Sequence, residues 1–190
     1  MSNPAAGTRM FERHEEYSAT MAVAGAALFE YLDDHRRLSG HMRSSSWMMA
    51  GGRMTMHMDA LGGQALGSTI RLRGRVLGFE LFAEEIVCEY DPPHRKAWET
   101  TNDVRLLVIG PYRMGFDLVP AGGHIRLRVF IDYTLPHVGS WRWIGRLIGP
   151  WYARWCTKRM VVDARRAVAS GAIRPDTSGT SGTRPMSLVP

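Results

Sequence analysis

From residue 125 to 133 the chain alternates with a period of two: Ile125, Leu127, Val129, Ile131 and Tyr133 occupy every second position. That spacing puts five large apolar side chains on one face of a β-strand, the mark of a strand half-buried against a core. The pattern recurs upstream. Tyr112, Met114, Phe116 and Leu118 share a face within residues 105–119, Trp98 falls in a short strand over residues 95–101, and a longer strand covers residues 79–90, closed by Asp91-Pro92-Pro93. Ile70, Leu72 and Val76 alternate with Arg71, Arg73 and Arg75, and Met54, Met56 and Met58 alternate with Thr55 and His57. Turn signals at Gly62-Gly63 and Gly122-Gly123, together with the short spacings, predict six strands in a consecutive antiparallel meander.

A sheet with one apolar face must be covered by something. The chain offers a further alternating segment at residues 15–23, a short helix or helix pair at residues 25–38, and a long helix at residues 151–170 with Pro150 in its first turn, where the missing N–H costs nothing. The order strand, helices, six strands, helix predicts an α+β domain over residues 14–170, flanked by flexible tails at 1–13 and 171–190. At 190 residues, with 45% apolar and 22% charged side chains, one globular domain with a sizeable core is expected. No apolar stretch approaches the ~20 residues of a membrane span, and no apolar run of a secretory signal opens the chain. Cys88 and Cys156 lie outside any C-x-x-C spacing. The expectation is a cytoplasmic protein of bacterial type that holds no metal or cofactor.

Charge is unevenly placed. Residues 1–140 carry 15 basic and 16 acidic side chains. Residues 141–170 carry Arg142, Arg146, Arg154, Lys158, Arg159, Arg165 and Arg166 against Asp163 alone, so this segment accounts for almost all of the net charge of +6. It also contains Trp141, Trp143, Trp151 and Trp155, four of the six tryptophans. On a helical wheel Ile144, Ile148, Trp151, Trp155 and Val162 form one apolar arc bordered by the cations, while Ala153, Cys156, Met160, Ala164, Ala167 and Val168 form a second, smaller one. Two orientations follow. In the first, the simpler reading, the Trp/Ile arc roofs a cavity over the sheet with a solvated arginine rim. Alternatively the small-residue arc faces the sheet, and the Trp/Arg face meets an anionic membrane surface or a protein partner. Nucleic acid is disfavoured, because no basic stripe or stacking platform continues onto the strands.

Three stretches resemble the START-like (SRPBCC) superfamily of polyketide cyclase/dehydrase and lipid-transport proteins. Tyr17-Ser18-Ala19-Thr20-Met21 followed by Ala27-Leu28-Phe29-Glu30-Tyr31-Leu32-Asp33-Asp34 is similar to the opening strand and helix of that family. Glu89-Tyr90-Asp91-Pro92-Pro93-His94-Arg95 is similar to its Pro-Pro strand junction, and residues 116–133 to its last hairpin. Two departures are Gly123-His124, where the family often has Gly-Thr, and a missing early tryptophan unless Trp47 replaces it. The resemblance implies a helix-grip fold, a curved antiparallel sheet of about seven strands wrapped around the C-terminal helix, with an apolar cavity between them. It also implies a hydrophobic small-molecule ligand such as a lipid, isoprenoid or polyketide-like compound, held by a carrier or sensor. The alternative is a cyclase or dehydratase with an inward acid or base.

Candidate lining residues are Met56, Trp98, Tyr112, Met114 and Tyr133 from the strand faces, with Trp151 and Trp155 from the helix. Glu84 is in register with Phe82, Ile86, Cys88 and Tyr90, which points its carboxyl inward as an acid or base, although a bulge would exchange it for Glu85. Arg71, Arg73 and Arg75 read as an outer face with Glu85 and Glu89 as partners, and His57 and Asp59 as solvent-facing. No nucleophile triad, phosphate loop or metal-ligand spacing is present.

Overall fold

A computed structural model describes residues 10–38, 53–76, 78–136 and 141–173. Seven strands, β1 (Arg13–Met21), β2 (Arg53–Met58), β3 (Thr69–Val76), β4 (Phe79–Asp91), β5 (Arg95–Arg105), β6 (Tyr112–Ala121) and β7 (His124–Tyr133), form one antiparallel sheet in the order β1-β7-β6-β5-β4-β3-β2. Strands β2 to β7 are the consecutive meander, and β1 closes onto β7 with Tyr17 opposite Val129 and Arg13 opposite Tyr133. Two short helices, α1 (Gly25–Asp33) and α2 (His35–Leu38), follow β1, and a long helix α3 (Trp141–Ala169) ends the domain. The curved sheet and the C-terminal helix packed on β1 and β7 make this the α+β helix-grip architecture. Trp47, Met48 and Met49 lie outside the described residues, as do residues 1–9 and 174–190 of the expected tails.

Three boundaries differ from the pattern-based expectation. The apolar run at residues 106–110 does not extend β6. Gly110 and Pro111 break the chain there, the Gly110 N–H donates to Thr134 O, and the Thr134 N–H donates to Pro111 O. The long helix starts ten residues before Trp151, so Pro150 lies inside it rather than at its first turn. An internal proline costs roughly 3 kcal/mol. The turn before it is held by close packing: a Cβ at Gly145 would sit 2.6 Å from Pro136 Cδ, and one at Gly149 3.0 Å from the Val108 carbonyl oxygen. At the other end Gly171 takes φ +73°, the Ile173 N–H donates to Ala167 O, and Ile173 is buried in the core. The ordered chain thus extends past residue 170.

The inner face of the sheet carries Leu127, Val129, Ile131 and Tyr133 from β7, Tyr112, Met114, Phe116 and Leu118 from β6, and Trp98 from β5, all buried. These pack with Leu28, Phe29 and Leu32 of α1 and with Ala153, Met160, Val161 and Ala164 of α3. A second apolar cluster, Ile70, Leu72, Leu81, Ala83 and Val87, occupies the β3–β4 end with Met56 and Met58 against it. On the outer face Phe130 is covered by the guanidinium groups of Arg95 and Arg128, 5.3 Å and 5.4 Å from its ring centre. Beneath it Gly115 is closely enclosed: a Cβ there would meet Lys96 O at 2.6 Å and Phe130 Cζ at 2.8 Å.

One buried ion pair joins helix to sheet. Lys96 on β5 is fully buried, and its Nζ donates to Asp33 Oδ1 at 2.6 Å and to the Asp33 carbonyl at 3.0 Å. The Tyr90 hydroxyl donates to Asp33 Oδ2 at 2.9 Å. Asp33 is the last residue of α1, so the ammonium also meets the negative end of the helix, where backbone carbonyls have no intrahelical partner. Burial pulls the Lys96 ammonium below the usual lysine value, against the opposing pull of Asp33.

Two predictions follow from this packing. Gly115→Ala forces its neighbours apart and should lower the unfolding free energy by about 1–3 kcal/mol in urea titration, since overpacking has that cost. Asp33→Asn leaves a buried lysine without its counter-charge and should cost about 3–5 kcal/mol. The double variant Asp33→Asn/Lys96→Met should recover part of that loss. Strict additivity of the two single changes would show that the pair is not coupled.

Candidate functional site

Between the two apolar clusters the inner face turns polar. Glu85 on β4 faces Thr100 on β5 in the ladder, and Tyr112 begins β6 beside them. The Tyr112 N–H donates to Thr100 Oγ1 at 2.9 Å, so a side chain continues the β5–β6 pairing after the regular ladder stops at Glu99 and Arg113. The Tyr112 hydroxyl donates to Glu85 Oε1. His35, first residue of α2, brings Nε2 to 3.2 Å from Glu85 Oε2, and its ring stands edge-on to Trp98 at 4.8 Å. The contact is close enough for charge attraction, yet it lacks hydrogen-bond alignment. Glu85 Oε2 and His35 Nδ1 are buried with no hydrogen-bond partner among the described residues, as is the Tyr133 hydroxyl on β7.

The electrostatics follow from burial. The Tyr112 phenol is raised well above its ordinary value of 10, first by desolvation and then by the negative charge and hydrogen bond of Glu85. It is therefore a proton donor at neutral pH. On α3 the Cys156 thiol is pushed up to about 12 by burial, with a hydrogen bond from Tyr152 opposing, so it is no thiolate nucleophile. Among the described residues no group of three or more His, Cys, Asp or Glu side chains could hold a metal ion. The chemistry available is hydrogen bonding and proton exchange among a carboxyl, a phenol and an imidazole.

Glu84 is not part of this set. It points to the outer face and receives a hydrogen bond from Arg71 Nε, while Glu85 is 1% exposed on the inner face. The cause is a register shift between Val87 and Glu89, where β4 holds one residue more than its partner strand. Alternation counted back from Tyr90 is thereby reversed before it reaches Glu84. The outer pairings change with it. Arg71 meets Glu84, Arg75 meets Glu80 at 3.1 Å, and Glu89 binds Arg95 and Arg113.

The other sequence candidates divide by place. Trp98, Tyr112, Met114 and Tyr133 are buried in the main cluster, and Met56 is half-buried against the second one. Trp155 is half-buried, stacked on Tyr152 at 6.2 Å. Trp151 is 48% exposed. The sheet-facing side of α3 includes Gly145, Gly149, Ala153, Cys156, Met160, Val161, Ala164 and Ala167, so the small-residue arc faces the sheet; of the Trp/Ile arc, Ile148 and Trp151 are exposed while Trp155 packs against the main cluster. Small side chains bring the helix axis close to β1 and β7, which bulky indoles would hold apart.

Pattern reading missed His35, Asp33 and Lys96, and reached Glu85 only as the exchange that a bulge would make. Lys96 was detectable, because Lys96, Trp98 and Thr100 share one period-two face of β5. A surface groove of about 690 Å³ runs past the α1–α2 junction, lined by Tyr31, Asp34, Arg36, Arg37, Met58 and Ile173 among others. Asp34 and Arg36 flank His35, so the groove opens over the backbone that carries the imidazole.

No family model matches the chain, and no curated protein matches it. Solved structures match it closely in fold. A protein from Thermus thermophilus superposes with a TM-score of 0.61 at 10% identity, covering 84% of this chain and 99% of its own. Norcoclaurine synthase from Thalictrum flavum gives a TM-score of 0.56 at 13% identity over 83% of this chain and 92% of its own. An aromatase/cyclase from a Streptomyces species gives 0.51 at 17% identity over 88% of this chain and 98% of its own. Sheet order, helix placement and these superpositions agree: the chain has the helix-grip fold, shared with these proteins.

Proposed function

We propose that the chain binds a hydrophobic small molecule bearing at least one hydrogen-bonding group, in the interior between the sheet and α3, as a carrier or sensor. The observation that carries this reading is the pair of adjacent buried polar atoms without a partner among the described residues, Glu85 Oε2 and His35 Nδ1, set among apolar side chains. A buried polar atom left unpaired costs about 1–3 kcal/mol. A ligand that supplied donors and acceptors at these points would remove the cost, while its apolar body lay against Trp98, Met114, Met56 and Met58. Ligand sites have this composition, mostly apolar with a few convergent polar groups.

A second reading is favoured by the Tyr112–Glu85–His35 contacts: an acid–base enzyme of the cyclase or dehydratase type. Two of the solved structures sharing the fold are named as a synthase and an aromatase/cyclase, although a shared fold leaves function open. In this reading Glu85 takes the role that sequence alternation gave to Glu84. The protonated Tyr112 phenol would donate to a substrate oxygen, and Glu85 would exchange a proton with the neighbouring carbon or hydroxyl.

Binding is tested on protein purified natively and then stripped with organic solvent. Native mass spectrometry should detect a co-purified apolar compound, and the stripped protein should take up an apolar fluorescent probe saturably. Glu85→Gln should weaken the co-purified compound roughly 10-fold or more, the loss expected of one charge-assisted hydrogen bond. Absence of both a co-purified compound and saturable uptake overturns the reading. The enzyme reading requires turnover of a poly-carbonyl substrate that falls with Glu85→Gln and with Tyr112→Phe. Unchanged rates would remove both groups from the mechanism.

A further inference from the structure

We propose that the outer face of α3 docks on an anionic lipid surface. The small side chains of the helix face the sheet, and on the opposite side three large apolar side chains are exposed to solvent: Leu147 is 69% exposed, Ile148 42% and Trp151 48%. At about 100° per residue these three occupy one arc roughly 100° wide. Arg154, Lys158 and Arg165 continue along one edge of that arc, with Arg159 and Arg166 along the other, all five exposed. Asp163, the one acid in residues 141–170, is already engaged by Arg159 at 3.0 Å and Arg166 at 3.5 Å, and Arg154 bonds Glu15 at 2.8 Å. Among the described residues Arg146, Lys158 and Arg165 form no ion pair.

An apolar patch rimmed by cations matches the lipid interface in both respects. Leucine, isoleucine and tryptophan enter the headgroup–acyl boundary while lysine and arginine meet the phosphates. Charge argues against a second copy of this chain. A two-fold contact through this face would oppose cation to cation, and the body over residues 1–140 is close to neutral, with 15 basic and 16 acidic side chains. Among the described residues no helix is long and apolar enough to cross a membrane, so the helix lies on the surface with its sheet-facing side still packed. The inference is independent of what fills the interior, since it uses only side chains on the outside of the domain.

Vesicle flotation of the full chain tests it, with phosphatidylcholine vesicles made with and without phosphatidylglycerol. The protein should float with the phosphatidylglycerol vesicles at low salt, float much less with phosphatidylcholine alone, and be released by high salt. Lys158→Gln combined with Arg165→Gln should weaken partitioning roughly 30-fold, about fivefold for each cation. Leu147→Asp combined with Ile148→Asp should abolish it, and both double variants should keep the parent melting temperature because the altered residues are exposed. Failure to float with phosphatidylglycerol vesicles overturns the proposal, as does binding that either double variant leaves intact. A dimer in sedimentation velocity that Leu147→Asp dissociates would assign the face to a second copy instead and equally overturn it.

Discussion

The buried pair between Lys96 and Asp33 determines where everything on the inner face can stand. A nine-residue helix such as α1 cannot cover a seven-stranded sheet by apolar contact alone, and its C-terminal carbonyls would be buried unpaired. Lys96 reaches up from β5 and takes both the carbonyl and the carboxylate of Asp33, while Tyr90 takes the second carboxylate oxygen. The end of α1 is thereby fixed above β4 and β5. Two residues later the chain delivers His35 beside Glu85 and Trp98. The position of the candidate site is thus a consequence of one ion pair, and the cost of desolvating that pair is met by giving each Asp33 oxygen a donor.

The long helix solves a different problem. Its glycines and alanines let the backbone approach the loop at residues 106–111 and the ring of Tyr133, with a Cβ at Gly149 only 3.6 Å from Tyr133 Cε2. Close approach along β1 and β7 compensates for the proline in the second half of the first three turns, and it leaves Ile148 and Trp151 on the outside. The concentration of charge in this segment then acquires a structural meaning. It belongs to an exposed face, where arginine and lysine remain hydrated and where an apolar patch needs polar neighbours to stay soluble as a monomer.

Strand alternation carried most of the fold. Ile125 to Tyr133 and Tyr112 to Leu118 face inward as their spacing predicts, and the helix-grip order follows from it. Two kinds of information were not in the pattern. A single extra residue in β4 between Val87 and Glu89 reverses the phase of everything upstream, and no side chain marks that bulge, so Glu84 and Glu85 exchange faces. The orientation of α3 was ambiguous because both of its arcs are apolar. What decides it is backbone proximity at Gly145 and Gly149, a feature of spacing i, i+4 that hydropathy does not register. Likewise Pro150 looks like a helix start by local preference and is overridden by tertiary packing.

The two buried polar groupings differ in a way that bears on function. Around Asp33 every carboxylate oxygen and the main-chain carbonyl has a donor within the chain. Around Glu85, a few residues away along the same sheet face, one carboxylate oxygen and one imidazole nitrogen have none among the described residues. Leaving Glu85 and His35 with open valences in an apolar setting costs free energy that exchange for apolar residues of similar size would remove. In the ligand-binding reading proposed above, the groups that complete these hydrogen bonds arrive with the bound molecule and define which molecule fits.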